Sequence, residues 1–131
     1  RRVEAVYEVP YLAHMTMEPQ VCTVRVSPER CEVWAPLQAP DVARQLAAKA
    51  TGLPLERVRV QLTLGGGGFG RRFEQDSLQQ ALQVGQAVPG RMVKLLWTRE
   101  QDMQHDFYRP AHVVRYRAAL DGAGRVLAVH G

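Results

Sequence analysis

The chain has 131 residues, a 46% hydrophobic composition and a formal net charge of +4. This length suits one domain with one modest hydrophobic core. No segment approaches the roughly 18 apolar residues of a membrane-spanning helix, and none resembles a signal peptide. The basic residues are scattered except at Arg1-Arg2 and Arg71-Arg72, whereas a nucleic-acid-binding surface gathers them on one face among aromatic residues. A nucleic-acid partner is therefore disfavoured.

The ends of the chain suggest a piece of a longer polypeptide. It begins at Arg1 without a methionine and ends on "LAVHG", inside an apolar alternating run. We expect residues 1–131 to form a single domain that is an internal fragment of a larger subunit.

Alternating apolar and polar residues predict the strands in chain order. "VCTVRV" and "CEVWA" surround the turn "SPER" and predict a hairpin, and a second hairpin is expected around "DGAG", where glycine suits a tight turn. The predicted strands cover residues 4–10, 21–26, 31–35, 57–63, 92–97, 111–119 and 125–130.

Two segments have the periodicity of amphipathic helices. "QAPDVARQLAAKATGLP" has Pro40 near its start and Gly52 and Pro54 as stop signals. "EQDSLQQALQVGQAV" places Leu78, Leu82 and Val84 or Gly85 on one side. Together these elements predict an α+β fold, with a mixed sheet, hairpins and two helices packed on one side of the sheet.

The cysteines and histidines do not predict a metal site. Cys22 and Cys31 lie too far apart across the predicted hairpin for a disulfide, so we expect buried free thiols. His105 and His112 lack the i, i+4 spacing that brings two ligands together on a helix, which favours solvated loop residues. His14 and a neighbouring acid in "HMTMEP", Glu18, are expected to form a structural hydrogen-bonded pair in a turn.

The segment "LTLGGGGFGRRFEQD" lies between a predicted strand and a predicted helix, where unpaired N–H groups favour anions. Gly65, Gly67 and Gly70 satisfy the G-x-G-x-x-G dinucleotide fingerprint, but the acidic residue expected after the next strand is absent. A P-loop would need Lys followed by Ser or Thr where Arg71 and Arg72 stand. The third interpretation is that the glycines let backbone amides approach a bulky anionic cofactor, with the intervening phenylalanine as a wall and the arginines as charge partners.

Several motifs in order carry a resemblance to a known family. "GGGGFGRRFEQD", preceded by "EVWAPLQAPDVARQLAAKATGLPLERVRV" and followed by "VKLLWTREQDMQHDFYRPA", resembles the molybdenum-cofactor-binding chain of the xanthine oxidase family of molybdenum hydroxylases. The similarity is greatest to the branch of isoquinoline 1-oxidoreductase beta subunits and related membrane-associated aldehyde dehydrogenases. It implies that the fold is part of a molybdopterin-binding domain.

The resemblance implies a role for Gln38 and for the glycine loop. Gln38 matches the glutamine whose side-chain amide hydrogen-bonds an oxygen ligand of molybdenum, and Gly67, Gly68, Phe69 and Gly70 match the loop that approaches the metal and its pterin. A side chain at position 68 is expected to block that approach and to oppose a positive φ. The alternatives are a helix cap or solvated loop residue for the glutamine, ordinary core filling for the phenylalanine, and a plain tight turn for the glycines.

The positions after the loop depart from the family pattern. Many members continue with glycine, lysine and a glutamate near the substrate, whereas this chain has Arg71, Arg72 and Phe73. The arginines are candidates to pair with pterin or nucleotide phosphate; the alternative is an exposed pair bridged to Glu74 and Asp76. Phe73 implies a more apolar substrate pocket, or else it packs only against the following helix.

For the intact protein the resemblance implies hydroxylation of an N-heteroaromatic ring or oxidation of an aldehyde, with electrons passing to iron-sulfur clusters. It implies molybdopterin dinucleotide as the cofactor, in its cytosine form, and a [2Fe-2S] small subunit, the remainder of the same chain and a c-type cytochrome acceptor as partners. A periplasmic or membrane-associated location is favoured, with the cytoplasm left open.

No catalytic residue and no metal ligand is assigned within this chain, since the family's catalytic glutamate lies in a motif that it lacks. The fragment alone is therefore expected to be inactive. The alternative function is a non-catalytic α/β scaffold or interaction module with a glycine-rich nucleotide-binding loop.

Overall fold

A computed structural model describes residues 1–131 and shows an α+β fold with seven strands and three α-helices. The strands are β1 (Arg2–Val9), β2 (Val21–Val26), β3 (Cys31–Ala35), β4 (Val58–Leu62), β5 (Met92–Leu96), β6 (His112–Leu120) and β7 (Val126–His130). The helices are α1 (Pro40–Thr51), α2 (Asp76–Ala87) and α3 (Arg99–Gln104). All seven predicted strands and both predicted helices are present close to their predicted bounds.

The short helix α3 was not predicted from the apolar periodicity of the sequence. It begins after Thr98, whose side chain accepts a hydrogen bond from the backbone N–H of Gln101, while the Gln101 side chain accepts one from the Thr98 N–H. This reciprocal capping box stabilises a helix start and is readable in the sequence as Thr-x-x-Gln. Six residues are too few to show apolar periodicity.

The chain divides into two compact units, residues Arg1–Ala13 with Tyr108–Gly131, and residues His14–Phe107. The strands accordingly form two sheets rather than the one mixed sheet predicted, because alternation identifies strands without identifying their partners. The single domain expected from the length stays a prediction, and each unit is described by itself.

The larger unit contains a four-stranded mixed sheet in the order β4-β3-β2-β5, with β3 and β4 parallel and the other pairs antiparallel. Helices α1 and α2 contact each other and pack on one face of this sheet, as predicted. Gly85 lets α2 come close, since a Cβ there would lie 2.9 Å from Cγ2 of Val24. The core consists of Cys22, Val24, Val26, Cys31, Val33, Ala35, Ala43, Ala47, Val58, Leu78, Ala81 and Leu82.

The two cysteines of this core are free and fully buried, which confirms the prediction. Cys31 pairs with Val26 across the β2–β3 hairpin, so Cys22 lies further along the strand. Burial raises the pKa of the Cys22 thiol to about 12 and that of the Cys31 thiol to about 11. Both side chains therefore pack as neutral apolar groups.

The smaller unit is an antiparallel three-stranded sheet in the order β1-β6-β7. The predicted hairpin is formed by β6 and β7, and Asp121 shapes its turn by accepting hydrogen bonds from the N–H groups of Ala123 and Arg125. Most side chains of β1 and β6 and all of those of β7 are exposed.

Candidate functional site

The glycine segment forms a loop between β4 and a single 3-10 turn, Arg71–Phe73, that precedes α2. Gly67 and Gly70 have φ angles of 93° and 103°, which favour glycine because a Cβ would clash with the backbone. Phe69 also has a positive φ, 54°, and is one of only two non-glycine residues in the chain to do so. Tertiary contacts therefore hold the loop in a conformation that is costly for an ordinary residue.

Gln38 is the main contact that shapes this loop. Its Oε1 accepts hydrogen bonds from the backbone N–H of Gly70, at 3.0 Å, and of Arg72, at 3.3 Å. A backbone N–H can only donate, so the side-chain atom facing these groups is the oxygen. The NH2 group, with two donors, is thereby directed away from them. Helix α1 has Ala39 at its N-cap and no side-chain cap, so Gln38 does not cap that helix.

Gly68 lies so close to Gln38 that no side chain fits between them. A Cβ at Gly68 would lie 2.5 Å from Oε1 of Gln38 and 2.8 Å from its Cδ. The positive φ angles belong to Gly67 and Gly70, so the expectation of a positive φ at Gly68 is wrong. Position 68 needs glycine because the backbone lies so close to Gln38. Gly67 and Gly70 are needed for a different reason, their positive φ.

A cleft of about 280 Å³ borders this contact. Its walls include the backbone of Gly65, Gly67 and Gly68, the side chain of Gln38, and the apolar Leu62. The cleft brings together the open backbone and the amide that the sequence singled out.

The two phenylalanines of the segment are exposed. Phe69 is 66% exposed and lies beside Gly67, where a Cβ would come within 2.9 Å of its ring. Phe73 is 56% exposed. Core filling is therefore the wrong explanation for Phe69. More than half of the surface of each residue is exposed.

Arg71 is buried, which contradicts the alternative of an exposed arginine pair. It donates two hydrogen bonds to the Asp76 carboxylate, at 3.0 and 2.7 Å, and its Nε lies 2.9 Å from Oδ1 of Asp106. The rings of Trp97 and Phe107 each lie 5.4 Å from its guanidinium carbon. Asp76 is a predicted partner, but the second acid is Asp106 rather than Glu74.

Arg72 is also buried and fastens the loop to the segment before β2. Its Nε donates to the Gly67 carbonyl at 2.6 Å, and Nη2 donates to the carbonyl and carboxylate of Glu18, both at 2.9 Å. Burial lowers the pKa of Arg72 while Glu18 opposes that shift. Both guanidinium groups are held by internal partners, and Arg72 also lines the cleft. Their role as phosphate partners stays a prediction.

His14 does not pair with Glu18, contrary to the prediction. Its Nδ1 lies 3.1 Å from Oδ1 of Asp106, whereas Glu18 accepts from Arg72 and from the Gly66 N–H. His105 is exposed at the end of α3, while His112 is the first residue of β6 and not a loop residue. No group of three potential metal ligands is present in the chain. Asp106 was missed as a contact because no local pattern relates it to His14 or Arg71.

The fold and the loop define a class of protein: an α+β domain that presents open glycine backbone and one side-chain amide at a cleft, as a cofactor-binding domain does. A family profile described as "Molybdopterin cofactor-binding domain" matches residues 1–131. The chain belongs to this family, and the resemblance inferred from its motifs is confirmed.

Named relatives agree with the profile. The chain is 34% identical to the isoquinoline 1-oxidoreductase subunit beta of Brevundimonas diminuta over 96% of its length. It is 32% identical over 94% of its length to the membrane-bound aldehyde dehydrogenase (pyrroloquinoline-quinone) of Gluconacetobacter polyoxogenes. It covers only 16% of each of these relatives, so it spans about a sixth of their length.

The fold matches a solved structure as well. The aldehyde oxidoreductase of Desulfovibrio gigas superimposes with a TM-score of 0.72 at 23% identity, over 98% of this chain and 14% of that one. None of the helices here has the length and apolar character that a bilayer crossing requires.

Proposed function

We propose that this chain is the part of a molybdenum hydroxylase that holds molybdopterin dinucleotide, through Gln38, Gly67, Gly68, Phe69 and Gly70. The main support for this proposal is the orientation of Gln38. Its oxygen accepts hydrogen bonds from two backbone N–H groups of the loop, which leaves its amide donors for a ligand. An amide can donate to an oxygen of the cofactor without competing as an anionic ligand of the metal.

The remaining residues of the loop fit a bulky anionic group. Gly67 and Gly68 present backbone without a side chain at the cleft, so a rigid ring system can approach closely. Glu18, an acid near the loop, is held by Arg72 and by the Gly66 N–H, which limits its repulsion of an anion. Arg71 and Arg72 hold the loop through their internal partners in this proposal, and Arg72, which lines the cleft, remains the candidate to pair with phosphate.

When bound, the cofactor supplies two-electron oxidation and passes electrons on to [2Fe-2S] clusters of a partner subunit. The contribution of this chain is to orient the cofactor through Gln38 and to line the substrate side with apolar groups. Phe73, exposed where many family members carry a glutamate, favours a flat aromatic substrate. We propose an N-heteroaromatic ring or an aldehyde as the substrate class, in keeping with the names of the two relatives.

The proposal extends to the assembly. One relative is named as a beta subunit, which supports a separate iron-sulfur subunit, with the remainder of this chain supplying the catalytic base. The cytosine form of the dinucleotide, a c-type cytochrome acceptor and a periplasmic or membrane-associated location complete the proposal. The name of the membrane-bound relative supports the last of these.

The test is the cofactor content of the full-length protein, purified with its partner subunit. Metal analysis, nucleotide release by acid hydrolysis and a quinone assay are applied to the wild type, to Gly68→Val and to Gly122→Ala. A Cβ at Gly122 meets nothing within 4 Å, so it is the matched control. We expect molybdenum and a cytidine nucleotide in the wild type and control, and a large loss in Gly68→Val.

Three results would contradict the proposal. Pyrroloquinoline quinone without molybdenum in the wild type would assign another cofactor. A protein without molybdenum that still binds a free nucleotide at the loop would support the alternative of a nucleotide-binding scaffold. Full molybdenum in Gly68→Val would show that the glycine loop does not contact the cofactor.

A further inference from the structure

We infer that His14 and Asp106 form a positioning pair that holds the glycine loop in its binding conformation. This inference rests on the proposed function for its biological meaning, but its structural content concerns only the conformation of the loop. The pair touches no part of the cleft described above, so its members are positioning residues.

Asp106 is the centre of the pair. Its side chain is 2% exposed, and all of its partners are donors. They are the backbone N–H of His14, Nδ1 of His14 at 3.1 Å, and Nε of Arg71 at 2.9 Å. The carboxylate accepts the two hydrogen bonds from His14, and its negative charge forms an ion pair with the guanidinium of Arg71, whose Nε makes no hydrogen bond. The carboxylate thus joins the segment before β2 to the start of the 3-10 turn.

His14 connects this carboxylate to the loop itself. Because Asp106 can only accept, Nδ1 of His14 carries the proton, and the opposite ring nitrogen Nε2 faces the loop. A Cβ built on Gly70 would lie 3.5 Å from this Nε2, so the ring occupies the space beside that glycine. Gly70 in turn donates the 3.0 Å hydrogen bond to Gln38. Asp106 also contacts Arg71, whose backbone N–H donates to the Gly68 carbonyl at 2.9 Å. The carboxylate therefore holds both the His14 ring beside Gly70 and the residue that ends the loop.

Backbone strain marks the same place. The chain has two non-glycine residues with positive φ, Met15 at 47° and Phe69 at 54°. They are the immediate chain neighbours of His14 and Gly70. Such conformations persist only where surrounding interactions enforce them, and they concentrate at functional sites. The positive φ angles on both segments indicate that the surrounding interactions, including the Asp106 pairings, enforce these backbone conformations.

Amide hydrogen exchange of the full-length protein, prepared in cells that make no molybdenum cofactor, tests the inference. Asp106→Asn keeps the size of the side chain but turns an amide NH2 toward donors. His14→Ala removes the ring, whereas His14→Asn keeps a donor that can reach Asp106. Glu32→Gln is the control, since Glu32 is ion-paired with Arg25 within the four-stranded sheet and away from the loop.

We expect the amides of residues 68–72 to exchange roughly tenfold to a hundredfold faster in Asp106→Asn and His14→Ala, because a charge-assisted contact to the loop support is lost. Exchange in α1 stays as in the wild type, His14→Asn retains most of the protection, and Glu32→Gln is unchanged. If one of the two disruptive variants does not fold, the other still gives the measurement.

Two outcomes would overturn the inference: loop exchange at the wild-type rate in a disruptive variant, or a rise that is equal in the loop and in α1, which indicates a general structural role. The proposed function fails separately. A variant with fast loop exchange that still carries full molybdenum in cofactor-producing cells would keep the positioning pair but remove the loop from the cofactor site.

Discussion

The side-chain oxygen of Gln38 lies 3.0 Å from the backbone nitrogen of Gly70. This hydrogen bond joins the segment between β3 and α1 to the glycine loop. It gives one amide two tasks. The oxygen organises the loop, and in the proposed function the nitrogen donates to the cofactor. The two tasks can be separated by substitution, because glutamate keeps the oxygen and loses the donor.

Gln38→Glu and Gln38→Ala are expected to differ in folding and to agree in activity. Glutamate still accepts from Gly70 and Arg72, so the melting temperature of the full-length protein is retained, whereas alanine leaves both N–H groups without that acceptor. Both variants lose the donor to the cofactor, which lowers turnover by about a hundredfold or more, equivalent to about 2–4 kcal/mol in the barrier. Wild-type turnover in Gln38→Glu would refute the donor role.

Gly68→Ala tests close approach without backbone strain, since Gly68 does not have a positive φ. The added methyl group meets Oε1 of Gln38 at 2.5 Å and displaces the amide. We expect the free energy of unfolding to fall by about 1–3 kcal/mol, because the displaced amide no longer accepts from Gly70 and Arg72, while molybdenum per folded chain falls. Gly122→Ala, measured by urea denaturation and metal analysis alongside it, is expected to change neither quantity.

Arg71→Lys is expected to destabilise the fold by about 3 kcal/mol, near the cost of breaking a buried ion pair. Lysine can replace neither the two-point contact with Asp76 nor the planar packing between Trp97 and Phe107. The exposed Arg91 provides the control, Arg91→Lys, with little expected effect. Equal urea midpoints for the two variants would show that Arg71 contributes only charge.

Because the two thiols are buried, we expect the protein to lose stability at alkaline pH. The pKa values of Cys22 and Cys31 rise from 9.0 to about 12 and about 11 on folding, so the folded chain favours the neutral thiols. Their contribution is complete below pH 9.0 and is lost as the pH rises toward 11 and 12. The free energy of unfolding should fall by up to about 1.4 kcal/mol per pH unit for each thiol. A double Cys→Ala variant should lose this part of the slope, and an unchanged slope would contradict the assignment.

Phe73→Ala is expected to alter substrate preference rather than stability, since this side chain is 56% exposed. Loss of this exposed apolar surface should raise KM for an N-heteroaromatic substrate more than for a small aldehyde. Steady-state kinetics of the full-length enzyme with both substrates decide the point. Equal effects on the two substrates would place Phe73 outside the substrate pocket.

Local patterns were sufficient for most of the fold. The "SPER" hairpin, the two long helices and the free cysteines followed from periodicity, turn residues and spacing, because these features are set by interactions between near neighbours. The family was also readable from the order of its motifs. The sequence therefore determined the family and the secondary structure except α3, whereas the cofactor role of Gln38, Gly67, Gly68, Phe69 and Gly70 stays a prediction.

Tertiary structure alone decided how the strands divide into two sheets and what the charged residues do. Arg71 and Arg72 stand beside a glycine loop and suggest phosphate partners, yet burial directs them to Asp106 and Glu18. His14 likewise turns to Asp106 rather than to its neighbour Glu18. The physical reason is that the desolvation of a charge is offset only by partners at contact distance, and the chain brings those partners from remote positions that no local pattern reveals.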